Sequence, residues 1–516
     1  MIPSWEFLLD EAAFQSILPP EHAQFARPIR EGLSLFLGGL PPEQQVSIVR
    51  AQAKLPASAS FSQRLGVLAR SSPVLHKVGQ ILARDKRLPL ELRGYLSELE
   101  SLPPVVSQPV LEQAITQELG PLDRLGITLG PAIAEASVAV VVPFDRNQPS
   151  SGPTSSGPIS SGQATTAGVF KILKPGIEQQ LDHELRLLTR VGEQLDRRCQ
   201  ALQIPELDYE DAFSQAHVKL LDEVQLENEQ RHLVEAKAFF ADEPRVQIPE
   251  LLEHCTKRVT SMERLSGGKV TDHGLFAGRD KRQLAALIGE ALIAAPVFSK
   301  RADPIFHGDP HAGNLFLTDD GRLGILDWSL VGRLGADVRR MVMQISLAAV
   351  VLDARGVALR MAELAAPQRP DETALKAVAE KWVACVRRGR FPGLSWLVAM
   401  LDEAVQQAKL RVPEDLMLLR KSLLALEGVV MDVGDRTGLI DRTLNMEFMR
   451  HFAVELPQRW FHPPFSHRFA TQVSNFDITQ ALLGAPTALA SFLTGHALDA
   501  IESCHGKASN TMNVSH

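Results

Sequence analysis

The sequence predicts an α+β fold of two lobes, a small one containing β-strands and a larger one rich in helix, behind a helical N-terminal extension. Three observations predict it. Two apolar, strand-like runs, PAIAEASVAVVVPF from Pro131 and AGVFKILKPGI from Ala167, flank a Ser-Gly-Pro stretch. From Gly335 to about Asp432 the apolar spacing is helical almost throughout. Between them His307–Leu330 reads HGDPHAGNLFLTDDGRLGILDWSL, in which the Asp320–Gly321 turn before Leu323–Leu326 makes a short hairpin.

At 516 residues the chain is too long for one compact core, so two or three domains are expected. With 45% apolar and 22% charged residues it is globular rather than disordered. A net charge of −7 argues against a duplex-coating protein, which needs a basic face, and no nucleic-acid partner is expected. Cys199, Cys255, Cys385 and Cys504 lack framework spacing and read as small buried residues of a reducing compartment. The opening MIPSWEFLLDEAAF is acidic where a signal peptide is basic, and the most apolar stretch, Ala481–Leu493, is interrupted by Gly484, Pro486 and Thr487. A cytoplasmic protein is expected, with peripheral membrane contact at most.

Taken in order, residues 1 to about 70 alternate helical spacing with Pro19–Pro20, Pro41–Pro42 and Pro56, which predicts several short helices. The next segment carries Lys77, Gly79 and Gln80 in a helical pattern closed by Pro103–Pro104. After a helix from Leu111, the small residues Ala132, Ala134, Ala136 and Ser137 precede the first strand, where backbone can approach a phosphate closely. Residues 150–163 hold three near repeats of Ser-Ser-Gly, a linker composition that does not bury enough surface to order itself. It makes an enlarged hairpin tip. Lys171 then sits mid-strand among Val169, Phe170, Ile172 and Leu173, where a charge is costly unless paired.

The pairing carboxylate belongs on a following helix. Phe213–Phe240 is the long candidate, and it offers Glu223, Glu227, Glu229 and Glu235. The strand VTSMERL runs into Gly267–Gly268, a break suited to a hinge, so the backbone of Met262 and Glu263 is the expected partner of an adenine. Leu284–Phe298 is helical and leads into the central loop. The last stretch, with Trp460, Phe461, Pro463, Pro464 and Phe465, is aromatic and irregular, and is expected to pack onto the domain.

In the central loop Asp309 is followed by Asn314 and, behind the apolar run, by Asp327. Phosphoryl transfer on a protein-kinase-like fold uses one Asp on the acceptor hydroxyl, with an Asn and a second Asp holding magnesium on the phosphates. A strand-borne lysine that holds the α- and β-phosphates completes the set, so ATP, ADP and Mg2+ are the expected ligands.

With these residues in place the chain resembles the UbiB/AarF family of atypical protein-kinase-like proteins over roughly Val74–Val433. His76-Lys77-Val78-Gly79-Gln80, trailed by Arg84, Asp85 and Pro89, resembles the family's KxGQ signature. PAIAEAS resembles its Ala-rich loop, VFKILKPGI its VAVKVQRPG strand, LENEQRHLVEA its ELDYxxEA helix, and HGDPHAGN its HxDPHPGN. LLALEGV at Leu423–Val429 is similar to a late family helix. The resemblance implies that Lys171 is the phosphate lysine, Glu235 its ion-pair partner, and Glu229 the carboxylate facing Lys77. It implies Asp309 as the residue on the acceptor, Asn314 and Asp327 as magnesium ligands, and KxGQ helices that exclude protein substrates. ATP hydrolysis or small-molecule phosphorylation linked to ubiquinone biosynthesis or other lipid metabolism follows, with isoprenoid-quinone or lipid intermediates as partners. The chain departs from the family at Asp327-Trp328-Ser329, where the family has Asp-Phe-Gly, and at Arg231, where the family's helix has an aspartate.

On this reading residues 1–70 are the extension, 71–123 the KxGQ-type segment, 124–265 the small lobe with its insert at 146–166, 266–450 the α-rich lobe and 451–516 a tail. Two other functions use some of the same residues. A small-molecule phosphotransferase of the aminoglycoside or choline kinase type accounts for HGDPHAGN followed by Leu-Asp-Trp, but has no use for the KxGQ segment. A catalytically silent scaffold would bind nucleotide without releasing phosphate.

Overall fold

The computed structural model describes residues 5, 8–83, 87–100, 104–147, 165–205, 208–272, 274, 280–365, 369–434 and 438–490. Arg84, Asp85, Pro103, Cys504 and nearly all of the Ser-Gly-Pro insert lie outside them. The α+β class is observed, in two compact units. One comprises Met1–Lys237, Ile248–Ser266 and Asp327–Ser329; the other comprises Ala238–Gln247, Gly267–Leu326 and Leu330–His516.

The first unit opens with the expected short helices, Glu11–Ile17, Ala26–Gly39, Pro42–Ala53 and Phe61–Ala69. Pro42 stands in a first turn, where its missing N–H costs nothing. Phe36, Leu37, Leu40 and Ile48 are buried with Leu181, Leu185 and Leu187 of the long helix Ile177–Leu202. Sequence reading passes over that helix, because its many Glu, Asp and Arg residues mask the apolar stripe. Its Glu184 is buried yet satisfied, accepting from Ser72 Oγ at 2.6 Å, Gln44 Nε2 at 2.7 Å and Val74 N at 3.3 Å. This carboxylate anchors the start of the helix Pro73–Ala83, which carries Lys77, Gly79 and Gln80.

Among the described residues the first unit's sheet has five antiparallel strands. Ile127–Leu129, Ala139–Asn147, Thr165–Leu173 and Val259–Glu263 pair in that order, with Ala134–Glu135 also on the second. Side chains alternate across a strand. Phe170 and Ile172 therefore enter a core with Val140, Val142, Phe144, Leu111 and Ile115, and Lys171 between them takes the other face. The single helix expected over Phe213–Phe240 is instead two, Tyr209–Leu221 and Leu226–Phe239, joined by a 3-10 turn at Asp222–Val224. No Gly or Pro marks this break; Leu226 turns into the helical core while Glu223 turns to Lys77.

The second unit holds a sheet ordered Val246–Gln247, Leu323–Ile325, Leu315–Thr318 and Gly267–Lys269. The expected hairpin is present, with Leu323 opposite Leu317 and Gly321 at φ 89° in the turn. Gly267–Gly268, read above as a hinge, is an edge strand. A Cβ on Gly267 would overlap the Leu317 carbonyl oxygen, so close backbone approach is what requires glycine there. Ile305–His307 pairs with Val331–Arg333. Helices follow at Ala336–Val350, Ala354–Leu364, Glu372–Arg387, Leu394–Ala408 and Glu414–Gly434, as the periodicity predicts. The helix Leu439–Arg459 runs straight through residue 450, so no boundary falls there. Beyond it the tail packs through Phe469, Ala470 and Val473, which are buried, and through Arg459, which donates to Glu455 and Thr471 at 2.7 Å. Trp460 and Phe461 depart from that expectation, each 88% exposed. Among the described residues no helix is long and apolar enough to cross a membrane.

Candidate active site

In the first unit Lys171 is fixed by two registers at once, opposite Val141 on one side and Thr260 on the other. Its Nζ donates to Glu229 Oε1 at 2.7 Å and Oε2 at 2.8 Å, and to Asp327 Oδ1 at 3.2 Å. The partner is therefore Glu229, not Glu235. Glu229 shares a helix face with Leu226, Leu233 and Ala236, all buried. Glu235 lies six residues on, which at about 100° per residue turns it roughly 120° away from that face.

Burial opposes the Lys171 charge, but the Asp327 and Glu229 carboxylates outweigh it and raise its pKa, so the ammonium persists. Glu229 is pushed up to about 7 by burial, with Asp327 adding to the push and Lys171 opposing it. Asp327 adopts a left-handed backbone conformation, φ 53°, which Asp tolerates better than most residues. Trp328 beside it is fully buried, and its carbonyl accepts from His232 Nδ1 at 3.1 Å.

The Ala-rich loop forms a short hairpin next to this strand. Ala134 and Ala136 are exposed and Ser137 is half-buried, while the Ala136 N–H donates to the Ala139 carbonyl at 2.8 Å. Burial raises the Glu135 carboxyl, but Lys174 Nζ at 2.8 Å and the backbone N–H of Val105 prevail and hold its pKa low. Glu263 N–H donates to the Glu250 carbonyl at 2.8 Å, and Met262 is paired with Val169 and bridged to Leu251. Met262 and the Glu263 N–H are therefore engaged within the sheet.

Lys77 is paired with Glu223 of the 3-10 turn rather than with Glu229, which is committed to Lys171. Gly79 lets its helix pack closely, since a Cβ there would lie 2.6 Å from Leu99 Cδ1. Gln80 Nε2 donates to the Leu99 carbonyl at 3.3 Å. His76 Nε2 donates to the same oxygen at 2.9 Å, and burial lowers its pKa to about 4.

In the second unit the loop is built on His307. Its Nε2 donates to the Leu326 carbonyl at 2.9 Å and its Nδ1 accepts from Asp309 N at 3.1 Å, which assigns the neutral Nε2–H tautomer. Asn314 Nδ2 donates to the Asp309 carbonyl at 3.1 Å, leaving Oδ1 as the atom able to ligate a cation. Leu326 N–H donates to the Asn314 carbonyl at 2.8 Å, so the residue before Asp327 is tied to the Asn314 backbone. His307 and His232 play roles that spacing alone does not disclose. Both act on backbone groups brought near by folding.

Residues 159–361 match the family model described as the ABC1 atypical kinase-like domain. The chain is 27% identical over 391 residues to "Probable protein kinase UbiB" of Pasteurella multocida, covering 72% of this chain and 71% of that one. To the protein of the same name in Xanthomonas axonopodis pv. citri it is 24% identical over 474 residues, covering 84% and 81%. The solved complex of Rv3197 with erythromycin from Mycobacterium tuberculosis aligns with a TM-score of 0.42 at 18% identity, covering 76% of this chain and 94% of that one.

Proposed function

Proceeding from a chain that belongs to the UbiB/AarF family of atypical protein-kinase-like proteins, we propose that it binds ATP with magnesium and acts as a kinase or ATPase. The observation that carries this reading is Lys171, a strand-borne ammonium held charged and aimed by Glu229 and Asp327. Lys171 would neutralise phosphate charge, and Glu229 would keep its ammonium in place. Asp309 would orient the attacking hydroxyl or water and take its proton. Asn314 and Asp327 are hard oxygen donors that fit magnesium. In this reading the nucleotide's phosphates and water would complete the coordination. Magnesium bound there would offset charge on the transferring phosphoryl group. The link to isoprenoid-quinone or other lipid metabolism is part of the proposal and rests on the family alone.

The test is the thermal-unfolding midpoint with ATP, ADP and AMP, with and without magnesium, for wild type and Asp327→Asn. Asn is tolerated in the left-handed region, so the variant should fold. A ligand at 100 times its Kd should add about 2.7 kcal/mol, a rise of a few degrees. The expected result is a magnesium-dependent rise with ATP or ADP that Asp327→Asn loses, and none with magnesium alone. Phosphate release then separates an enzyme from a silent scaffold. No shift with any nucleotide would end the reading.

A further inference from the structure

From His307 to Asn314 the loop contains no lysine or arginine. Folding supplies a cation from elsewhere: Lys421 Nζ lies 3.6 Å from Asp309 Oδ1. Lys421 belongs to the helix Glu414–Gly434, which is clamped to the loop and its adjoining strand at three points. Ser422 Oγ donates to the His307 carbonyl at 2.8 Å. Arg333 N–H donates to Asp415 Oδ1 at 3.0 Å. Gly308 is packed so closely that a Cβ there would lie 3.1 Å from Leu418 Cδ2. Leu419 and Leu423 are buried one turn apart, so the helix is held in phase as well as in place. An ion pair of two mobile surface chains would carry little meaning. Here the root of the lysine is fixed by contacts to the residues that flank Asp309.

We propose that Lys421 is a catalytic residue whose ammonium contacts the phosphoryl group in transit. This rests on the reading that the chain transfers phosphoryl from ATP. In that step the oxygen of water or of an acceptor hydroxyl bonds to the γ-phosphorus and its proton passes to Asp309. The bond from the γ-phosphorus to the bridging oxygen breaks, and its electron pair leaves on ADP. Negative charge spreads over the transferring oxygens, which pass beside Asp309 because Asp309 holds the nucleophile. A cation beside Asp309 therefore falls where charge develops. At 3.6 Å the Lys421–Asp309 separation is longer than a hydrogen bond. The Lys421 side chain is 41% exposed, so its replacement should leave the fold intact.

The experiment uses the full chain as wild type, Lys421→Met and Lys421→Arg. The probe is ADP with magnesium, with and without aluminium fluoride, which mimics the group in transit; binding is read by calorimetry and turnover by phosphate release. Wild type should bind ADP more tightly when fluoride is present. Lys421→Met should keep its ADP affinity within about twofold, lose most of the fluoride-dependent gain, and release phosphate ~100-fold more slowly, with Lys421→Arg restoring much of both. A Lys421→Met protein that keeps the fluoride gain and the release rate would make the pair an ordinary solvated contact and overturn the proposal. A wild-type protein that shows neither gain nor release overturns the phosphoryl-transfer reading itself, and the role of Lys421 with it.

Discussion

Lys171 is 13% exposed and faces two carboxylates, one of them almost wholly buried. Losing one member of such a group leaves a buried charge uncompensated, which costs more than the pair itself contributes. Lys171→Met and Glu229→Gln should each lower stability by about 3 kcal/mol in urea unfolding, and the double variant by clearly less than the sum. Additive losses would mean the two side chains do not interact. His76 makes a separate, pH-dependent contribution. Its folded pKa of about 4 lies below the ordinary 6.5, so between those values the unfolded chain takes up the proton first. Stability therefore rises with pH across that window and falls on acidification, by up to about 3 kcal/mol. His76→Gln, which can still donate to Leu99, should flatten the decline in unfolding midpoint between pH 6.5 and 4.

Helices explain why some of the site was legible and some was not. Asp309, Asn314 and Asp327 can be nominated from sequence because their spacing is set within one loop and one hairpin. Lys171 is readable because a charge among Val169, Phe170, Ile172 and Leu173 is costly to leave alone. Which glutamate meets it depends on helix phase, and phase depends on a break at Asp222–Val224 that no Gly or Pro announces. The pairing of Met262 and Glu263 with the segment around Glu250 and Leu251 was not legible for a similar reason, since it involves residues that spacing does not connect. Packing between helices also yields a prediction. A Cβ on Gly192 would lie 2.8 Å from Glu210 Cα, whereas one on Gly428 would meet nothing within 4 Å. Gly192→Ala should cost about 1–3 kcal/mol because backbone must move. Gly428→Ala, in an open helix interior, should instead add roughly 0.5–1 kcal/mol. Urea unfolding of the two variants measures both signs.

Across the whole molecule, neither unit is a continuous piece of chain. Ile248–Ser266 returns to the first unit with the strand that pairs beside Lys171, and Asp327–Ser329 returns with a ligand of Lys171 and the buried Trp328. A fragment of residues 1–266 keeps that strand but loses Asp327 and Trp328. It should unfold at lower urea and over a broader range than the intact chain, followed by far-UV circular dichroism. An unchanged midpoint would show that Asp327–Ser329 adds nothing to the first unit. The α+β class was legible because strand runs and helical periodicity occupy separate stretches; the interleaving of the units was not, because it is made by short segments far apart in the chain.

The two strands that present Lys171 close their register at Asn147 opposite Thr165. Every pair from there to Ala139 opposite Leu173 is set by the strands themselves, whatever joins their ends. Loop closure costs only about 0.6 kcal/mol for each doubling of length. The junction is therefore a natural splice point: a fluorophore-bearing peptide or a small reporter domain placed between Asn147 and Thr165 would report on the lysine strand without displacing it.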